Sequence, residues 1–176
     1  MELYQVKRRL NLAIDTLRVN DNYLLKNNVN ERSIIHKLAT YMAQTFGKTY
    51  DIDCEYNRNI NNIKKINLLK SKWHELINTS VKYEDEISSG ILVEKTVFPD
   101  IIVHKRGKHR SNLLIVEVKK SSSSISEEYD IEKLKCYTAP DNNLNYKYGV
   151  FIGFYTLREK YKSPDVRYFK EGIEIS

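Results

Sequence analysis

The stretch FPDIIVHKRGKHRSNLLIVEVKK, residues 98 to 120, constrains the fold of this chain more than any other. Two apolar, β-branched runs flank a short basic loop, the pattern of two strands joined by a turn. A hairpin centred on GKHR, 107 to 110, pairs Arg106 with Ser111 and, in the same register, Asp100 with Glu117. Side chains alternate along a strand, so Leu113, Ile115, Glu117 and Lys119 share one face while Leu114, Val116 and Val118 share the other. Directly opposed residues have Cβ atoms about 4.5 to 5.5 Å apart, where like charges repel. A positive group therefore has to lie between Asp100 and Glu117.

The rest of the chain alternates helices with strands. Leu3, Val6, Leu10, Ala13, Ile14 and Leu17 recur every three or four residues and predict an amphipathic helix over 2 to 19, with a short second helix after Asn20. Asn30 is positioned as the N-cap of a helix over 31 to 46, whose apolar face runs from Ile34 to Thr45 and which Gly47 stops. YDIDCEY, 50 to 56, alternates as a half-buried strand does. Ile60, Ile63, Ile66, Leu69, Trp73 and Leu76 predict a further helix from about 60 to 77, with Lys64, Lys65, Lys70 and Lys72 on its other faces. After the polar run SSSS, a helix capped by Ser126 or Asp130 reaches about Tyr137, and strands follow over 146 to 155 and 166 to 170. The expected class is α/β, one domain with a mixed central sheet flanked by helices. Its parts are N-terminal helices over about 2 to 28, a core over about 31 to 56 and 97 to 156, and a helical insertion over about 57 to 96.

At 176 residues the chain can bury one sizeable core, and its formal charge of +6 points to an anionic partner, nucleic acid first. The start MELYQVKRRL has no apolar signal core, and no run approaches the roughly 18 apolar residues of a membrane span. A cytoplasmic protein without a membrane partner is expected. Cys54 and Cys136 each stand alone, which argues against a zinc site or a disulfide framework.

Two opposed carboxylates make a natural seat for a hard cation such as Mg²⁺, which takes one or two carboxylates and keeps its other positions for water and phosphate oxygens. Lys119, on the face of Glu117, could then orient or help deprotonate an attacking water and stabilise charge building on phosphorus. A surface ion pair at the strand end is the bland alternative. Against it, Lys119 is the only lysine in the chain with a carboxylate two positions before it. Pro-Asp is uninformative by itself, because Pro99, Pro140 and Pro164 are all followed by Asp.

Pro99-Asp100, followed by Glu117-Val118-Lys119 at the end of the next strand, resembles the signature of the PD-(D/E)XK nuclease superfamily, which includes restriction endonucleases, Holliday junction resolvases and repair nucleases. The resemblance implies a restriction endonuclease-like αβββαβ core, matching the order read from residue 31 to 155. It implies an Mg²⁺-dependent endonuclease, with Mn²⁺ able to substitute, acting on DNA rather than RNA in restriction, defence or repair. A homodimer is compatible with it. Asp100 and Glu117 would hold the metal and Lys119 would serve the attacking water. Many members also carry a Glu on the first core helix, the position of Glu31 here, which would join the metal site. Independently, Glu31 heads the apolar stripe of its helix and should face the sheet. A favourable interaction with the helix dipole explains it equally well.

Phosphate contact is assigned to Lys64 and Lys65 on the inserted helix and to Lys105, Arg106, Lys108 and Arg110 in the hairpin loop. His104 and His109 flank that loop, and with His36 and His74 they form no metal motif. Asp51, Asp53 and Glu55 share a strand face and read as solvated. Asp130 and Lys133 could approach the site, although capping and solvent explain them adequately. The rival reading from another class is a catalytically inactive nucleic-acid-binding or assembly subunit with the same fold.

Overall fold

The computed structural model describes residues 1–27, 29–56, 58–59, 62–69, 92–108, 111–123 and 126–176, with only the backbone of 58–59, 62–63, 67–69 and 92–95. Helix α1 (Leu3–Asn20) buries Val6, Leu10, Ala13, Ile14 and Leu17, the stripe its periodicity predicts. The short α2 (Asn22–Lys26) leads into α3 (Glu31–Phe46). There the Asn30 side chain accepts from Arg32 N–H at 3.0 Å, and Gly47 takes φ 69°, a left-handed value that stops the helix at little steric cost.

The strands are β1 (Asp51–Cys54), β2 (Arg58–Asn59), β3 (Asn62–Ile63), β4 (Lys65–Leu69), β5 (Leu92–Thr96), β6 (Ile101–His104), β7 (Leu114–Lys120), β8 (Tyr148–Phe154), β9 (Asp165–Lys170) and β10 (Ile173–Ile175). Six of them form one mixed sheet in the order β1-β6-β7-β8-β9-β10. Only β7 and β8 run parallel, and helix α4 (Glu128–Thr138) makes the crossover between them. The N-cap position of α4 is Glu127, not Ser126 or Asp130 as expected, though Ser126 Oγ accepts from Glu128 N–H at 3.2 Å. The molecule is a single mixed α/β domain.

The β6–β7 ladder pairs Ile101 with Val116, Ile102 with Ile115 and Val103 with Leu114. One step further along this register Asp100 faces Glu117, as alternation requires. The loop is wider than expected: the ladder ends at Val103, so Arg106 and Ser111 are not paired across it.

Helices cover both faces of the sheet. Leu114, Val116 and Val118 pack with Val150, Ile152 and the buried sides of α1 and α3, whereas Ile102, Ile115 and Phe151 pack with Ile131, Leu134 and Tyr137 of α4. Helix α4 lies close on β8 because Gly149 has no side chain. A Cβ there would stand 3.2 Å from Leu134 Cδ2 and from Thr138 Cγ2.

The helix expected over 60 to 77 is corrected in its first half, since residues 62–63 and 65–69 are strands and β4 pairs antiparallel with β5. Apolar residues every third position drift by about 60° per step around a helix, so they never make a stable stripe. Isoleucines, being β-branched, fit a pleated strand instead. Residues 70 to 77 lie outside the described residues. The last strand, β10, is not among those the sequence predicts. Among the described residues no helix is long and apolar enough to cross a membrane.

Candidate functional site

Glu117 follows the Ile115 side of β7 and so points toward α4. It is 1% exposed. Its Oε2 accepts from Lys133 Nζ at 2.8 Å, while Oε1 is buried. Burial pushes this carboxyl well above the usual carboxylate range; Lys133 opposes the shift, and the charges of Asp100 and Asp130 add to it. A buried acceptor needs a donor, and the one at hand is the Tyr137 hydroxyl of α4, buried with it.

Asp100 sits where the chain enters β6, partly buried. Its Oδ2 accepts from Val118 N–H at 2.8 Å, which fastens it across the hairpin to the strand of Glu117. Burial pushes its carboxyl up to about 6; the Val118 N–H and Lys133 pull the other way, and Asp130 and Glu31 raise it further. The charge of Asp100 in turn raises the Glu117 carboxyl, as their opposed register implies.

The positive group facing Glu117 is Lys133. Its ammonium lies 2.8 Å from Glu117 Oε2 and 2.8 Å from Asp130 Oδ1, and Asp130 Oδ2 in turn lies 2.8 Å from Lys119 Nζ. Glu117, Lys133, Asp130 and Lys119 form one chain of alternating charge linking β7 to α4. Burial opposes the charge of Lys133, but Glu117 and Asp130 more than offset it and hold its pKa above the ordinary lysine value. Asp130 and Lys133 are 5% and 8% exposed, so the solvent and capping explanation of these two residues is corrected. One signal was available: Asp130 stands one helical turn before Leu134, in the middle of the apolar stripe of α4, where a solvated aspartate does not belong. Tyr137, one turn further on, is fully buried, with its hydroxyl beside the Glu117 carboxyl as a hydrogen-bond donor. Burial, with the Glu117 charge second, holds its pKa well above normal.

Glu31 opens α3 and reaches the same end of β7, where its Oε2 accepts from Lys120 N–H at 2.8 Å. Its charge is felt at Asp100. Among the described residues no three His, Cys, Asp or Glu side chains are arranged to hold a metal ion. The carboxylates that would receive a cation at this end of the sheet are Asp100, Glu117 and Glu31. Paired carboxylates are donors that Mg²⁺ takes, but Glu117 is shut from solvent here, so a hydrated cation reaches it only if this carboxylate becomes accessible. A cleft of ≈ 190 Å³ opens beside Lys119 at the C-terminal ends of β7 and β8, lined by Lys119, Ser121, Phe151, Gly153 and Tyr155 among others.

The basic residues separate into groups. Lys64 is 1% exposed and donates to the Tyr56 carbonyl at 2.9 Å, so its expected phosphate contact is corrected: burial holds its amine, and lowers its pKa to about 8. Arg106 is likewise engaged, its Nε 2.9 Å from Asp53 Oδ2 and a second guanidinium nitrogen on Oδ1. Asp53 also meets His104 Nε2 at 2.8 Å, so it is ion-paired rather than solvated. Lys105 lies over the Tyr50 ring at 6.0 Å, and Lys65 and Lys108 are exposed. Arg110 and His109 in the loop, and His74, lie outside the described residues. No family model, no curated protein and no solved structure matches this chain.

Proposed function

We propose that this chain is a metal-dependent nuclease that hydrolyses phosphodiester bonds, an endodeoxyribonuclease of the PD-(D/E)XK type. The observation that carries the reading is the pair Asp100 and Glu117, brought to facing positions by the β6–β7 register, with Lys119 on the same strand face as Glu117. The element order supports it: α3, three antiparallel strands β1, β6 and β7, then α4 and the parallel β8 are in the sequence that a restriction endonuclease-like αβββαβ core requires.

Asp100 and Glu117 would hold Mg²⁺ or Mn²⁺. When bound, the cation supplies Lewis-acid stabilisation of negative charge on the phosphoryl oxygens. Lys119, kept in place by Asp130, offers its ammonium to the same charge and orients the attacking water. Glu31 fastens the end of β7 and adds negative potential near Asp100. The exposed Lys65 and Lys108, with Lys105, give a basic surface for the nucleic-acid backbone, in line with the formal charge of +6.

One observation favours the rival reading of a binding-only subunit: Lys133 already offsets the charge of Glu117, so the opposed carboxylates do not need a metal for the fold to form. The deciding experiment incubates the chain with duplex, junction and single-stranded DNA and with RNA, in Mg²⁺ and in Mn²⁺. Cleavage of at least one substrate that disappears in EDTA and in Glu117→Gln is expected. Binding without cleavage of any of them would establish the rival.

A further inference from the structure

The connection between β8 and β9, residues 155–164, leaves the sheet at the end of β7 that carries Lys119, because Lys119 and Lys120 pair with Gly153 and Phe154, the last residues of β8. Its start is fastened. Thr156 N–H donates to Ser121 Oγ at 3.1 Å, and Leu157 N–H to the Leu25 carbonyl at 3.2 Å. Further along, Arg18 of α1 lies over the Tyr161 ring at 5.2 Å and ties that part to the helix layer. Beside these anchors Arg158, Lys160 and Lys162 stand exposed, with Glu159 the one acidic residue of the connection. Two of the three cations share one ring: Lys162 Nζ is 3.7 Å and the Arg158 guanidinium 5.4 Å from the centre of Tyr155. A cation held on an aromatic face is ordered before any anion arrives, so meeting one costs less conformational entropy.

We infer that the β8–β9 connection is a second nucleic-acid contact surface, in which Tyr155 presents Arg158 and Lys162 to backbone phosphates at the Lys119 end of β7. Both readings given above share the nucleic-acid partner on which this rests, and no bound cation is required. Lys105 and Lys108 adjoin the other end of β7, a strand of 7 residues and so about 20 Å long. That loop alone would hold a backbone a strand's length from Lys119, whereas the connection holds it beside that residue. Glu127 and Asp165 line the adjoining cleft and disfavour an anion inside it, so the phosphates run along its rim over Arg158, Lys160 and Lys162. An anionic lipid surface would need a larger apolar face than the exposed Leu157 supplies here.

The test measures binding of the full chain to a fluorescent DNA single strand and to the same sequence as duplex over a series of salt concentrations. Wild type is compared with Tyr155→Leu and with Arg158→Ser combined with Lys162→Ser. Loss of both cations should lower the slope of log affinity against log salt by about 1.8 on duplex and about 1.4 on the single strand. Tyr155→Leu keeps both charges but frees them, so it should weaken binding several-fold with the slope nearly unchanged. An unchanged slope in the double serine variant, with the wild type binding, overturns this inference and leaves the nucleic-acid reading standing. That variant alters exposed side chains only, so it decides the matter even if Tyr155→Leu does not fold. Wild-type affinity in a folded Tyr155→Leu would overturn the role given to the ring. A wild type that binds neither DNA nor RNA overturns both the surface and the nucleic-acid reading, and its uptake by phosphatidylserine vesicles would mark the connection as a lipid contact instead.

Discussion

Lys133 and Glu117, 2.8 Å apart, form a buried ion pair between the crossover helix and the strand that carries Glu117-Val118-Lys119. Removing one partner of such a pair strands a charge in a medium that solvates it poorly, at a cost of about 3 to 5 kcal/mol, whereas replacing both by apolar or neutral groups is often near neutral. Lys133→Met alone should therefore destabilise the metal-free chain strongly, and Glu117→Gln with Lys133→Met should recover most of the loss. Denaturant unfolding of the two single variants and the double variant measures the coupling, and additive effects would show that the pair contributes little.

Asp100 gives a pH dependence of definite sign. Its folded carboxyl is pushed up to about 6 by burial, above the ordinary aspartate value of 3.8. The native state then holds this proton while the unfolded chain has lost it, so stability falls as pH rises between about 4 and 6, by about 3 kcal/mol at most. Asp100→Asn should flatten that part of the profile in metal-free buffer. If its urea midpoint falls as steeply as the wild type's over the same interval, Asp100 is not the source.

Exposure and pairing overlap on the basic surface, since Arg106 is exposed and still bound to Asp53, whereas Lys64 is buried. For duplex DNA, every phosphate that the protein no longer neutralises lowers the slope of log affinity against log salt by about 0.9. Reversing Lys105 and Lys108 to Glu should lower that slope. Lys64→Met, whose amine is buried on the Tyr56 carbonyl, should change stability and leave the slope alone. A reduced slope in Lys64→Met would mean that this lysine becomes exposed when nucleic acid binds.

These residues also show where the sequence is legible. The α3 cap at Asn30, its stop at Gly47 and the β6–β7 register all follow from patterns within a few residues, and the structure reproduces them. The Asp130–Lys133 network does not, because its meaning depends on how closely a crossover helix settles over Gly149, a tertiary fact that capping and solvation mask locally. Arg106 misleads for the same reason: its partner Asp53 is 53 residues away, on the neighbouring strand. The strand at 65–69 is hidden because a three-residue repeat resembles a helix stripe when counted along the chain, though it drifts when projected on one.

Glu31 joins two explanations that a single substitution separates. Its Oε2 accepts the Lys120 N–H at 2.8 Å, directly after Lys119, and its charge bears on Asp100. Glu31→Gln keeps an oxygen for the Lys120 N–H, so β7 should stay fastened, while the negative potential beside the carboxylates is lost. If that potential serves the bound cation, cleavage should fall at least tenfold, equivalent to about 1.4 kcal/mol of transition-state stabilisation, and higher Mn²⁺ should restore part of it. Stability should change little, because losing a first-turn carboxylate from α3 costs about 0.3 to 1 kcal/mol, a few degrees in Tm at this chain length. Turnover and Tm measured on one preparation separate the roles. Wild-type turnover with the small drop in Tm would leave Glu31 as a clamp on the end of β7, and the cation to Asp100 and Glu117 alone.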